Sequence, residues 1–319
     1  MKILIADKFE TVGINGLKEL EAEVACEPGL KDDALARRIA ELDPTILIVR
    51  STKVKADALS AGKQLKLVIR AGSGYDTIDV PAATQRGVKV ANCPGMNAVA
   101  VAELVMGLMI ALDRRIADNV ADLRAHKWNK KEYSKARGLK GGTLGIIGAG
   151  RIGTEVAKRA LAFEMRVLYY DVVPDLVPVK HPDCRRATIE DIFRQADVIT
   201  LHVPGTGDTR HLVNAARLAL MKPNALLINT SRASVIDEPA LVRALKEGKI
   251  RGAAVDVYEN EPAADAPTIE SPLADVRGLY GTHHIGASTE QAQLAVAEET
   301  VRIVREFKNA GCVLNCVNA

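Results

Sequence analysis

Short apolar runs alternate with amphipathic stretches along almost the whole chain. Runs rich in Ile, Val and Leu fall at 2–6, 45–50, 65–71 and 88–92, with helix-spaced patterns at 14–20, 32–42 and 80–85 between them. A second series of strands is expected at 143–148, 166–171, 197–204, 225–231, 252–257 and 279–282. Helical patterns at 152–163, 188–195, 215–221 and 238–247 separate those. Such alternation predicts parallel sheets covered by helices on both faces, and two series predict two doubly wound α/β domains.

The end of the chain changes the domain boundaries. Ser288 and Gln291 have the spacing of a capping box, and Ala292, Val296, Thr300, Ile303 and Phe307 follow on one helical face. Beyond Gly311, Val313-Leu314-Asn315 reads as a short strand-like piece. One helix after a finished nucleotide-type domain most simply returns to the first. The expected division is therefore 1–97 plus 286–319 for a discontinuous first domain and 98–285 for an inserted one, with ligands bound in a cleft between them.

The run 98–112 is apolar on nearly every face, and Ile116, Val120 and Leu123 continue as an amphipathic helix. Two readings stand: a helix buried within one chain, or the interface of a homodimer. Glu103 interrupts the run, which is shorter than the roughly 20 residues that span a bilayer, so no membrane association is expected. The N-terminal Met1-Lys2-Ile3-Leu4-Ile5-Ala6-Asp7 turns polar too soon for a signal peptide.

Composition narrows the class further. With 319 residues, 48% hydrophobic, the chain is long enough for about two globular domains. A net charge of +3 does not suggest nucleic-acid binding. Lys127, Lys130, Lys131, Lys135, Arg137 and Lys140 gather near Trp128 and Tyr133. That group reads as a solvated loop or helix end, with attraction of an anionic substrate as the alternative. Five scattered cysteines without a Cys-x-x-Cys read as reduced thiols of a cytoplasmic protein, with no metal site expected.

The chemistry begins at Leu144-Gly145-Ile146-Ile147, a buried-strand run leading into Gly148-Ala149-Gly150-Arg151-Ile152-Gly153. Gly148 permits a tight turn, Gly150 lets a pyrophosphate approach the backbone, and Gly153 lets helix and strand pack closely. The amides of Arg151 and Ile152 open the helix toward the phosphates. The next strand ends in Asp171, where a carboxylate grips a ribose 2′-hydroxyl and repels a 2′-phosphate, so NAD is favoured over NADP. Further on, Arg232, Glu261 and His284 each follow an apolar run. Hydride transfer to or from a hydroxy acid needs a guanidinium for the carboxylate, an imidazole for the hydroxyl proton, and an acid to hold the imidazole.

Taken with Arg70-Ala71-Gly72-Ser73-Gly74-Tyr75-Asp76 and Thr282-His283-His284-Ile285-Gly286-Ala287-Ser288-Thr289, these motifs resemble the D-isomer-specific 2-hydroxyacid dehydrogenases over essentially the whole chain. The spacings of 29 residues from Arg232 to Glu261 and 23 from Glu261 to His284 also look right for that family. The resemblance implies a Rossmann NAD-binding domain inserted in a flavodoxin-like substrate domain. It implies that Arg232 binds the substrate carboxylate, that His284 exchanges the hydroxyl proton, and that Glu261 holds the imidazole. Asp256 would touch the nicotinamide carboxamide, with Thr230, Ser231 and Ala287 nearby, and His202, Val203 and Pro204 would line the adenine side. One departure is His283, where the family usually has proline.

The branch it resembles most oxidises D-3-phosphoglycerate, the reaction that opens serine biosynthesis. The implied substrate is then a phosphorylated 2-hydroxy acid. Ser73 and Gly74 would cradle its carboxylate, Arg50 and Arg70 would face its phosphate, and Asn97 would stand on the substrate side. For the two arginines a plain salt bridge is the alternative. Nothing after Gly311 resembles the regulatory domains some family members carry, so feedback by serine through such a domain is not expected. Competing functions are a hydroxypyruvate or glyoxylate reductase and, from a different class, an NAD-sensing corepressor-like interaction protein on the same scaffold.

Overall fold

The computed structural model describes residues 1–262 and 266–318, so Ala319, the expected end of the first domain, lies outside the described residues. The chain forms two compact units, Met1–Asn97 with Ser288–Ala319, and Ala98–Ala287. The second crossing thus falls two residues beyond the expected 285/286 boundary.

The first unit runs β1 (Lys2–Ile5), α1 (Thr11–Glu19), β2 (Glu23–Cys26), α2 (Asp32–Leu42), β3 (Ile46–Val49), α3 (Ala56–Ala61), β4 (Leu67–Arg70), α4 (Val80–Gln85) and β5 (Lys89–Asn92). All strand pairs are parallel, in the order β2-β1-β3-β4-β5, the flavodoxin-like arrangement. Side chains alternate across a strand, so Leu4, Leu47, Val49 and Val68 pack with Leu35 and Leu59 on one face. Ile3, Ile5, Ile48 and Ile69 pack on the other with Leu17, Ile303 and Val304.

The second unit runs α5 (Ala98–Arg114), α6 (Ile116–Arg124), α7 (Lys130–Tyr133), β6 (Thr143–Ile147), α8 (Arg151–Ala162), β7 (Arg166–Tyr170), β8 (Cys184–Arg186), α9 (Ile189–Gln195), β9 (Val198–Leu201), α10 (Ala215–Leu218), β10 (Leu226–Asn229), α11 (Glu238–Lys246), β11 (Gly252–Val255) and β12 (Leu279–Gly281). Its parallel sheet has the order β12-β11-β10-β9-β6-β7-β8. The order reverses between β6 and β9, and ligands of such sheets bind outside the carboxyl ends of the strands at that point. α5 is buried against α8 and the sheet through Val105, Met109 and Leu112. α6 contributes no buried residue, and Ile116, Val120 and Leu123 are 44%, 40% and 52% exposed. No helix among the described residues is long and apolar enough to cross a membrane.

The last helix, α12 (Glu290–Ala310), belongs to the first unit. It packs on α1, where Gly16 leaves so little room that a methyl would lie 3.1 Å from Val301. Two expectations for this region need correction. The cap is Thr289, whose hydroxyl accepts from the Ala292 amide, so Ser288 and Gln291 form no capping box. Residues 313–315 are not a strand: Asn315 turns the chain with φ of 53°, and only Cys316 forms a bridge, antiparallel to Ala91.

Candidate active site

The buried strand β6 and the amphipathic helix α8 meet at Gly148-Ala149-Gly150. Gly148 has φ of +93°, and a Cβ there would lie 2.5 Å from the carbonyl oxygen of His202, so this turn tolerates only glycine. A side chain at Gly153 would run into the Gly148 carbonyl, which fixes how closely α8 sits on the strand. At Gly150, by contrast, a Cβ would meet no atom of the described residues within 4 Å. That open space beside the N-terminus of α8 suits a pyrophosphate approaching bare backbone.

The carboxylate of Asp171, just past β7, accepts from the amides of Ala149 (2.8 Å) and Val173 (3.0 Å). It therefore stands next to the glycine turn. Across the switch point, His202 keeps Nε2 3.0 Å from the Thr200 hydroxyl, while its buried Nδ1 has no hydrogen-bond partner among the described residues. Burial pushes the imidazole down to about 3, so it stays neutral at any working pH. Val203 is half-buried and Pro204 exposed beside it. After β10, the Thr230 hydroxyl is likewise buried without a partner among the described residues. Orphaned polar atoms such as His202 Nδ1 and Thr230 Oγ1 are costly unless a ligand meets them. Together with the room at Gly150, they fit a dinucleotide.

The segment after β10 is tied to itself. Asn229 Oδ1 accepts from the amide and hydroxyl of Ser231 (3.0 and 2.7 Å), and Asn229 Nδ2 donates to the Arg232 carbonyl (2.9 Å). Arg232 Nη1 donates to the Ser231 carbonyl (2.8 Å). Asp256, buried at the end of β11, accepts from the Thr282 hydroxyl (2.7 Å) and from the amides of Ile285 (2.9 Å) and Gly286 (2.8 Å). It thereby clamps the loop that carries His284 and leads to Ala287. His284 itself has φ of +51°.

His284 Nδ1 lies 2.7 and 2.8 Å from the two Glu261 oxygens. An ionised carboxylate only accepts, so Nδ1 carries the hydrogen and Nε2 is left as the proton-exchanging nitrogen. Arg232, Glu261 and His284 line one open pocket with Arg210, Tyr258 and Glu259. His283 is exposed.

Sequence reasoning missed several of these supports. Buried Glu238, whose carboxyl is raised by its burial, accepts from the Glu259 amide (2.9 Å), and Tyr258 donates to the Thr282 carbonyl (3.0 Å). Arg210 sits in a polar loop whose composition carries no motif. Nothing in the local pattern marks Glu238, at the first turn of a helix, as buried.

The first unit holds the remaining residues. Arg50 and Arg70 stand at the carboxyl ends of neighbouring strands, with Val49 opposite Arg70. The turn carrying Arg50 is fixed by Asp7, which accepts from the amides of Arg50 (2.6 Å), Ser51 and Thr52 and from the Ser51 hydroxyl. Burial opposes the charge of Asp7, but those donors outweigh it and hold the carboxyl below its usual range. Arg50 Nη1 also donates to Gln293 (3.4 Å). The Arg70 guanidinium folds over Gly72, whose φ of +151° and missing side chain leave it room. The Ser73 hydroxyl donates to Asn97 Oδ1 (2.7 Å), with Gly74 next in the chain.

Residues 106–286 match the model of the D-isomer specific 2-hydroxyacid dehydrogenase NAD binding domain. The D-3-phosphoglycerate dehydrogenase of Methanocaldococcus jannaschii is 44% identical over 96% of this chain, which spans 58% of that relative's length. The hydroxypyruvate reductase of Thermotoga maritima is 45% identical over 91% of this chain and 92% of its own. Among solved structures, the D-lactate dehydrogenase of Aquifex aeolicus complexed with NAD and lactic acid superposes with a TM-score of 0.82. That enzyme is 28% identical and is matched over 100% of this chain and 99% of its own.

Proposed function

The chain belongs to the D-isomer specific 2-hydroxyacid dehydrogenase family, and from that premise we propose that it oxidises D-3-phosphoglycerate to 3-phosphohydroxypyruvate with NAD. NAD, when bound, would supply the hydride acceptor for C2 of the substrate. Gly150 and the amides of Arg151 and Ile152 hold the pyrophosphate, and Asp171 takes the adenosine ribose. His202, Val203 and Pro204 flank the adenine, while Thr230, Ser231, Asp256 and Ala287 serve the nicotinamide side. Arg232 binds the carboxylate, and His284 Nε2 takes the hydroxyl proton while Glu261 stabilises the imidazolium so formed. Ser73, Gly74 and Asn97 bind substrate oxygens.

What supports a phosphorylated substrate is the pair of guanidiniums on adjacent strand ends, Arg50 and Arg70. In Arg50→Ala, kcat/KM for 3-phosphohydroxypyruvate reduction should fall by about 10–100-fold, the worth of a charge-assisted hydrogen bond, and that for hydroxypyruvate by less than about threefold. Equal losses on both would remove the phosphate role. They would favour the second reading, a hydroxypyruvate or glyoxylate reductase, which the near full-length similarity to the Thermotoga maritima enzyme supports.

The exposed apolar face of α6, with Trp128 80% exposed, supports a homodimer. Sedimentation equilibrium should give the mass of two chains, and a single-chain mass would contradict it. Five free cysteines suit a reducing cytoplasm.

A further inference from the structure

Arg186 is the last residue of β8, the edge strand of the larger sheet, and its side chain crosses the turn that follows β7. The register pairs it with Tyr169, two residues before Asp171, so it stands at the carboxyl end of the sheet. Its Nη2 donates to the Asp171 carbonyl, and Nη1 donates to the carbonyls of Val173 (2.9 Å) and Pro174 (2.7 Å). The guanidinium carbon lies 6.0 Å from the centre of the Tyr170 ring.

The first residues of the turn it grips carry no buried apolar side chain. Residues 171–183 form no helix or strand; Leu176 and Val179 pack against the core, but Val172 and Val173 are 81% and 51% exposed, so apolar burial does not fix the backbone at 171–174. The ties there are polar: three carbonyls on one guanidinium, the Asp171 carboxylate on the amides of Ala149 and Val173, and the Leu176 amide on the Val173 carbonyl. A planar fork can donate in several directions at once, which a lysine ammonium on the same stem cannot reproduce. β8 is three residues long, and the exposed Arg186 side chain at its end lies across the turn and the Tyr170 ring.

We propose that Arg186 is a positioning residue for the cofactor. By holding the carbonyls of 171, 173 and 174, it keeps the Asp171 carboxylate beside the glycine turn and so sets the affinity for NAD. The inference rests on the reading of Asp171 as the ribose-binding carboxylate.

The test compares Arg186→Gln, Arg186→Lys and Asp171→Asn in the full chain, by NADH fluorescence titration and by hydrogen exchange of the unliganded protein. Arg186→Gln should weaken NADH binding roughly tenfold, and Arg186→Lys should recover only part of it. In the same variant the Ala149 and Val173 amides should exchange faster, with protection elsewhere unchanged. Unaltered NADH affinity in Arg186→Gln, with weakened affinity in Asp171→Asn, would overturn the role of Arg186 and leave that of Asp171 standing. Unaltered affinity in Asp171→Asn would overturn both. Weaker binding with loss of protection across the whole sheet would make Arg186 a fold-stabilising residue, and that too would overturn the proposal.

Discussion

In His284→Asn, turnover of a D-2-hydroxy acid is expected to fall about 10²–10⁴-fold, the usual contribution of a positioned general acid–base, with NADH affinity nearly unchanged. Asparagine is the informative replacement because the position has φ of +51°, a region that Asn tolerates better than most side chains. The loop also survives the change, since Asp256 holds it through Thr282, Ile285 and Gly286 and not through the imidazole. His283→Asn, one residue earlier and exposed, should retain turnover within about threefold, because it lacks the Glu261 contact that orients its neighbour. Steady-state kinetics on both variants, beside NADH titrations, separate loss of chemistry from loss of binding. A His284 variant that keeps its turnover while the His283 variant loses it would reverse the assignment.

Arg232→Gln should be the second most damaging change. A guanidinium meeting a carboxylate makes two charge-assisted hydrogen bonds of about 1.5–3 kcal/mol each, so kcat/KM is expected to drop by about 10²–10⁴-fold. Arg232→Lys should recover little, because an ammonium is a point charge and cannot reproduce the planar fork. The side chain is seated closely: a methyl on Gly205 would lie 3.1 Å from Arg232 Cγ, and its Nη1 already donates to the Ser231 carbonyl. The discriminating readout is the loss for 2-keto acids against that for their amides. A substrate without a carboxylate should lose far less, and equal losses would show that Arg232 is not the carboxylate partner.

Much of this was legible in the sequence because the buried strands are so apolar. Ile46–Val49 and Leu226–Asn229 are buried at every position, and short apolar runs of that kind between helical patterns mark strands covered on both faces. The edge strands β2 and β8 were not legible, since their side chains are half-buried or exposed and carry no period. The helix α3 opens at Lys55 without a side-chain cap, whereas α4, equally six residues long, is announced by Asp79 at its cap and proline in its first turn. Thr289 and Ser288 are both good caps, and only the backbone geometry decides between them.

At the site, the glycine turn and Asp171 could be read because a dinucleotide fingerprint sets residue types at fixed offsets, and the Arg232, Glu261 and His284 motifs because they resemble those of the family. Their supports could not. The clamp of Asp256 on the His284 loop joins residues 29 and 30 positions apart, and the Glu238 bond to the Glu259 amide spans 21. Such contacts depend on which strand lies beside which, and a single sequence gives no offset to search for. For Asp256 this changes the picture: its carboxylate already holds three donors in the loop, so any contact with a carboxamide is added to a positioning task.

The most direct measurement is the fate of deuterium at C2 of a D-2-hydroxy acid. With C2-deuterated D-3-phosphoglycerate or D-glycerate and NAD, the reduced cofactor should carry deuterium at C4 of its nicotinamide. The L-substrates should give none, and His284→Asn should slow the transfer in proportion to its turnover. Reduced cofactor without deuterium would contradict hydride transfer from a hydroxy acid at this site, and no reduction from either D-substrate by a protein that binds NADH would contradict the proposed oxidation of D-3-phosphoglycerate.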